Sequence, residues 1–384
     1  MHSKSRFIFA SLAFTSLFIT STVWGQPQVL VTGLQGPQKI ILTPQGNLLV
    51  SEPSVNANSG RISFVTRGGA RNTLLEGLPS GTEVTLAGGS GPSAMALRER
   101  TLYFALGAGD GERRGQTPGT SIHNPEGSSS PLFASILEVR FNLDVDAISG
   151  PFTMTTAHQR TITDGGEVEI ADNNGGTARI SMLARFPISE PAPNRIYRFS
   201  NPWGMALTEN GGTLWVTDAS IDALVRVDTA TGRWRRVTRF PPQPNPGTVG
   251  PPMLDVVPTS VRTYGEDLLV SFLTGFPFVP GYARVLGVDP ETGATEPFIN
   301  WLTSVTDFLW RPRPSGRPQF FVLEFSQNQS AQPPAPGRLL SYDSPDPQVV
   351  LPVLITPVSL AYDPATQDLF ILELRGQILR LHLD

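Results

Sequence analysis

The stretch Val257–Gly293, VPTSVRTYGEDLLVSFLTGFPFVPGYARVLGVDPETG, decides the fold. Pro258 has a fixed φ that suits the start of a strand, and it lacks the N–H that a central ladder position needs. Two apolar runs follow, around Val261 and over Leu268–Phe272, split by the turn residues Tyr264-Gly265-Glu266-Asp267. A third run, Ala283–Val288, stops at the turn sequence Asp289-Pro290-Glu291-Thr292-Gly293. A fourth, Thr295–Leu302, completes the unit. Four short strands joined by tight turns make one antiparallel meander, the size of a propeller blade.

The unit recurs along the chain. Its opening pattern, Pro then two residues then an apolar residue, stands at Pro37–Ile40, Pro92–Met95, Pro202–Met205, Pro258–Val261 and Pro357–Leu360. A copy without the proline stands at Val305–Phe308. Each opening is followed by a second apolar strand, centred on Leu49, Tyr103, Trp215, Leu269, Phe321 and Phe370, and then by a third. Repetition at this period signals a closed ring of like units, so the expected fold is all-β, a six-bladed β-propeller. Pro92 and Pro202 lie twice as far apart as other openings. No second opening pair is found between them, so the second blade is read as enlarged, over about residues 107–195, and not as two blades. Within it, a hairpin is expected over Phe152–Ile170, a strand over Ala178–Phe186, and residues 143–176 are expected to be an excursion outside the core. The sixth unit stops after three strands at the end of the chain. Val29–Leu34 resembles the fourth strand of other units, such as Asn72–Leu78, so the N-terminal strand is expected to close the last blade.

Residues 1–25 read as an export signal: Lys4 and Arg6 form a charged start, Phe7–Ile19 an apolar core, and Val23-Trp24-Gly25 the cut. The apolar run is short for a bilayer span, so no stable membrane insertion is expected after cleavage. Losing this segment moves the formal net charge from −4 to −6, which disfavours nucleic acid and anionic membranes as partners. The expected location is secreted or periplasmic, the domain 26–384, and the partner a small molecule or an extracytoplasmic protein. Absence of cysteine excludes disulfides, thiol chemistry and zinc–thiolate sites together.

Candidate site residues come from one column of the repeat. Two residues beyond the second-strand triplet stand Glu52, Asp218, Glu324 and Glu373, with Leu106 and Phe272 in the remaining blades. Asn201 and Asp307 lie at strand starts near the same mouth of the central channel. Carboxylates and an amide are hard oxygen donors, suited to calcium or magnesium. The other reading is that each acid caps a turn or pairs with an arginine. His123, His158 and His382 have no metal-ligand spacing and read as surface or packing residues. Gly107–Gly111 lacks the strand–helix setting of a nucleotide loop, and Asp172–Gly176 reads as a hairpin turn. Trp203, Phe276, Phe278 and Trp301 read as blade packing.

The chain resembles the ScyD/ScyE family, exported six-bladed propellers of the broader NHL type. The resemblance rests on Gly60–Ser63, Gly91–Leu97, Asn201–Ala206, Val216–Ala219, Thr303–Phe308 and, most specifically, Leu273-Thr274-Gly275-Phe276-Pro277-Phe278. Asp222 departs from it, since the family pattern usually has asparagine there. The resemblance implies a propeller and export, with no established reaction and no catalytic residue. The expected role is therefore a ligand- or partner-binding accessory protein. The alternative is a divalent-metal hydrolase of the gluconolactonase or paraoxonase type, with its ion at the channel mouth. A quinone-dependent sugar dehydrogenase is a third reading.

Overall fold

In the computed structural model the described residues are 24–83, 88–114, 121–187, 189–191, 197–314, 316–344 and 346–383. Apart from Trp24 and Gly25, the expected export signal lies outside them, as does position 195, the expected end of the enlarged blade. Among the described residues no helix is long and apolar enough to cross a membrane.

Each repeat folds as one antiparallel sheet, and six such sheets stand around an axis. Blade four, over Val256–Tyr264, Asp267–Thr274, Ala283–Val288 and Thr295–Leu302, is the plain example. The inner strand of every blade starts at one face of the ring, here called the top, and ends at the bottom. Strand residues alternate between two sides, so each blade presents apolar rows to both neighbours. In blade one Leu48 and Val50 pack against blade six, while Leu49 packs against blade two. The buried apolar residues accordingly form six clusters, one between each adjacent pair of blades.

Closure follows the expectation. Gln28–Val31 pairs antiparallel with Gln377–His382, placing Val29 opposite Leu379 and completing blade six. Leu34, 4% exposed, then enters the cluster between blades one and six, and its N–H donates to Gly376 O at 3.1 Å. The first and last strands thus remove each other's open edge.

The opening pattern has a structural reason. In blades two to six the register breaks at its start, for example between Pro258 and Ser260, so two consecutive residues leave the regular ladder there. The first of these carries a hydroxyl in three blades. Ser93, Thr259 and Thr306 donate to the opening carbonyls of the next blades, Pro202 O, Val305 O and Pro357 O, at 2.7, 2.9 and 3.0 Å. At these three junctions hydroxyl-to-carbonyl bonds therefore stitch inner strands that do not share a sheet. In blade three the second position is Gly204, because a Cβ there would stand 2.6 Å from Thr259 O.

Residues 143–176 differ from the expectation. They are no excursion outside the core. Val145, Ile148, Phe152, Met154, Ile162, Val168 and Ile170 are all buried in the cluster between blades one and two. The expected hairpin over Phe152–Ile170 is replaced by three pieces. Phe152–Thr153 adds a fifth, parallel strand to blade one, Thr156–Thr163 is a helix, and Val168–Ala171 adds a fifth strand to blade two. The helix starts because Thr155 and His158 form a reciprocal capping box. Gly77, at φ +68°, lets this segment lie close, since a Cβ there would be 2.2 Å from Met154 O. Asp172–Gly176 is the expected hairpin turn, leading into Thr177–Arg185.

Candidate functional site

The column of acids lies at the top of the blades, each at the end of a second strand and paired with the opening of its own inner strand: Asp218 with Pro202, Glu324 with Val305, Glu373 with Pro357. All are buried to 1% exposure or less. A buried carboxylate needs donors, and each finds them within its own blade and linker. Glu52 accepts from Gln35 N at 2.5 Å, from Arg61 Nη2 at 2.7 Å and from the Ser63 hydroxyl. Glu324 accepts from Thr303 N at 2.7 Å and from Arg338 Nε. Glu373 accepts from Ile355 N at 2.5 Å, Arg375 Nε at 3.3 Å and the Gln377 amide. In these three blades the donor N–H lies two residues before the opening. The residue between them, Gly36, Ser304 or Thr356, is left-handed at φ +56°, +47° and +49°, which curls the linker onto the carboxylate.

Asp218 does the same job with a side chain one methylene shorter. It accepts from Asn201 N at 2.8 Å, Ser220 N at 3.2 Å, Ile221 N at 3.3 Å and the Ser200 hydroxyl. No arginine is among its partners, and burial pushes its carboxyl above the ordinary range despite these donors. Asn201 turns its side-chain oxygen to Ala108 N at 3.3 Å, tying blade three to blade two. In four of the six blades an acid therefore latches the incoming linker to the blade it feeds. Among the described residues, no three His, Asp or Glu side chains come together as a metal-binding group. The column does not fit a single calcium or magnesium ion.

Asp307 behaves differently. It sits on the channel axis, 1% exposed, and gathers groups from three blades. Its Oδ1 accepts from Ser260 Oγ at 2.7 Å and Arg262 Nη2 at 2.9 Å, both of blade four. Its Oδ2 accepts from Ser359 Oγ at 2.8 Å and Leu360 N at 3.0 Å, both of blade six. Burial alone would push this carboxyl up. The Arg262 guanidinium and the Lys39 ammonium, with these hydroxyl and amide donors, outweigh burial and hold it below the usual carboxylate range. Lys39 of blade one reaches across the axis to Thr259 O at 3.4 Å and stands 5.8 Å from the centre of the Trp203 ring. Burial lowers its pKa from the ordinary 10.5 to about 8, with Asp307 opposing and Arg262 reinforcing the shift.

Sequence reading missed Lys39, Ser260, Arg262 and Ser359. The signal was present. The third residue of each opening pattern is Lys39, Ala94, Gly204, Ser260, Asp307 and Ser359 in turn, a column in which only lysine and aspartate carry charge.

Below this charged plug the channel opens at the bottom face into a bowl of about 390 Å³. Its wall is made by the ends of five inner strands, with Ile41, Leu97, Ala206, Leu309 and Trp310 contributing apolar surface and Arg262 the one charged group. The Arg262 guanidinium spends one N–H on Phe308 O at 3.0 Å and one on Asp307, out of the five it carries. The top face is built differently. Among the described residues four two-stranded hairpins stand there, including Gln243–Pro244 with Met253–Leu254. Of the aromatic set, Trp203 lies in the channel, but Phe276 and Trp301 are 56% and 83% exposed and do not pack between blades. His158 caps its helix, His123 meets the Phe199 ring at 4.9 Å, and His382 faces Asp368 at 3.1 Å.

No protein-family description and no curated protein matches the chain. Solved structures match over nearly all of it. A glucose dehydrogenase is 14% identical with a TM-score of 0.53, over 94% of this chain and 100% of that one. A Xanthomonas campestris gluconolactonase is 12% identical with a TM-score of 0.48, over 93% and 89%. A catalytically inactive virginiamycin B lyase of Staphylococcus aureus is 13% identical with a TM-score of 0.43, over 94% and 99%. At such identities the likeness is one of fold, the propeller.

Proposed function

We propose that this chain is an exported ScyD/ScyE-type propeller, cleaved near Gly25, that works as a ligand-binding accessory protein. The observation that carries the reading is the bowl at the bottom of the channel. Its volume falls in the range of small-molecule sites, and it combines apolar side chains with polar strand-end groups and a single guanidinium. Lys39 and Arg262 against Asp307 leave the channel one positive charge while Lys39 is protonated. The ligand class that suits it is a small apolar molecule carrying an acidic group. A divalent-metal hydrolase would instead require several of Glu52, Asp218, Glu324 and Glu373 to leave their present donors, at a cost of several kcal/mol, about 3–5 for each broken buried pair.

The test uses 8-anilinonaphthalene-1-sulfonate, an apolar anion that brightens when it enters apolar surroundings. Saturable binding to the folded protein is expected, with loss of that signal in Ala206→Trp, which fills the bowl and leaves every plug residue in place. Equal binding by Ala206→Trp overturns the assignment of the bowl. Lactone hydrolysis that needs calcium or magnesium and stops on chelation would establish the hydrolase instead.

A further inference from the structure

Arg284 occupies the same place in blade four as Arg61 in blade one and Arg338 in blade five: the second residue of the third strand. Arg61 stands opposite Glu52, and Arg338 opposite Glu324, and both make ion pairs there. In blade four Ser271 pairs with Val285, so the residue opposite Arg284 is Phe272. The cation is retained and its acid is missing. Among the described residues nothing bonds to the Arg284 side chain, and its buried Nε has no hydrogen-bond partner. Burial lowers the guanidinium pKa with no charge opposing it. The Thr274 hydroxyl, two residues beyond Phe272, is buried and unpartnered as well.

The surroundings tell what would satisfy these groups. Phe272, Leu286 and Val288 belong to the cluster between blades three and four, and strand alternation turns Arg284 to that same side. Above it on the top face, the loop after Thr274 meets the hairpin from blade three, where Gln243 Nε2 donates to Tyr282 O at 3.1 Å. This rim exposes Val249, Met253 and Phe276, and Trp301 lies in the bulge of the fourth strand opposite Arg284. A half-buried guanidinium beneath exposed aromatic and aliphatic surface is an arrangement suited to a flat ligand ending in a carboxylate, which the planar fork can grip with two bonds.

We propose that Arg284 is the anchor of a second binding site, on the top face of blade four, for the carboxylate of a ligand with an aromatic body. It is independent of the bowl, which opens on the opposite face. An unmade bond to a buried charge costs more than the usual penalty for an orphaned donor, so a carboxylate that restores the pairing seen in blades one and five recovers that cost.

Phenylacetate, with phenylacetamide as its neutral match, is titrated into the full mature chain by calorimetry. Expected is a dissociation constant of about 1 mM or tighter for phenylacetate, at least tenfold weaker binding of phenylacetamide, and a similar loss in Arg284→Met. Trp301→Ala, which removes a largely exposed ring, should weaken phenylacetate binding without lowering the melting temperature, and Ala206→Trp should leave it unchanged. Arg284→Met should melt no lower than the parent, whereas Arg61→Met should melt lower. The proposal is overturned if phenylacetate does not bind, if phenylacetamide binds as well, or if Arg284→Met loses stability as Arg61→Met does.

Discussion

The Arg262 guanidinium of blade four and the Asp307 carboxylate of blade five meet at 2.9 Å inside the channel, and neither belongs to the other's sheet. Among the described residues Asp307 is the carboxylate that faces both cations of the channel, the buried Lys39 and the partly exposed Arg262. Removing its charge should therefore cost more than its own bonds. Asp307→Asn is expected to destabilise the ring by about 3–5 kcal/mol, because Lys39 and Arg262 are left facing each other without a counter-charge. Lys39→Met in that background should recover part of the loss. Urea unfolding of the two variants decides it: a cost below about 0.5 kcal/mol for Asp307→Asn would show that the channel charges do not depend on one another.

Lys39 gives the channel a pH dependence of known sign. Its pKa falls from 10.5 in the unfolded chain to about 8 in the folded one. Between those values the unfolded state holds more protons, so stability rises as pH rises and levels off above the ordinary lysine pKa. Lys39→Met should lack this rise. Melting temperatures measured from neutral pH upward, parent against variant, check it. Parallel curves would mean that the ammonium is solvated.

The latching acids divide into two kinds, and the division is testable by neutral replacement. Glu52, Glu324 and Glu373 face arginines. Glu52→Gln or Glu324→Gln leaves a partly buried guanidinium unpaired and should cost about 3 kcal/mol or more. As it does at Glu324 against the opposing Arg338, burial raises the pKa of Asp218, which faces only hydroxyl and amide donors. Its folded state therefore holds a proton that the unfolded state has lost, and stability declines as pH rises from the ordinary aspartate pKa through the raised one. Asp218→Asn keeps an acceptor for the three N–H groups and should remove that decline, changing stability at neutral pH by no more than about 1 kcal/mol. Calcium or magnesium should shift the melting temperature of none of these proteins. A large cost for Asp218→Asn combined with a metal-dependent melting temperature would restore the ion-binding reading of the column.

Blade count, strand order and closure were legible because they rest on a local pattern repeated six times, a strand start marked by proline in five of the six copies, an apolar triplet and a turn. The acids at Glu52, Asp218, Glu324 and Glu373 were legible as a column for the same reason. What they do was not, since their partners, such as Gln35 N and Thr303 N, are backbone groups of linkers whose left-handed turns carry no distinctive residue besides Gly36. The plug was half legible. Asp307 stands out as a charge at a strand start, but Lys39 lies 268 positions away in the chain and meets it only when the ring closes. The left-handed Asp222, at φ +53°, is a place where asparagine or aspartate is easier than most residues.

Residues 143–176 were the plainest misreading, and they yield the sharpest test. Their glycines and polar residues disguise a spaced set of apolar groups that only packs once blades one and two are side by side. Phe152 is fully buried, 5.7 Å from the Phe141 ring, and its backbone pairs with Leu75 of blade one. Asp146 further ties the segment to the first hairpin of blade one, accepting from Thr43 Oγ1 at 2.6 Å and Asn47 Nδ2 at 2.8 Å. The segment thus works as a clamp across two blades, covering the outer edges of both sheets. Phe152→Ala should cost about 3–5 kcal/mol through lost burial and the cavity left behind. Asp146→Ala should cost about 1–2 kcal/mol through its orphaned, partly exposed donors. Replacing 143–176 by a short glycine linker should uncover the apolar cluster and lower the melting temperature by more than either change alone. If that excised protein instead melts as the parent does, the clamp contributes nothing to the ring and its buried apolar residues pack only against one another.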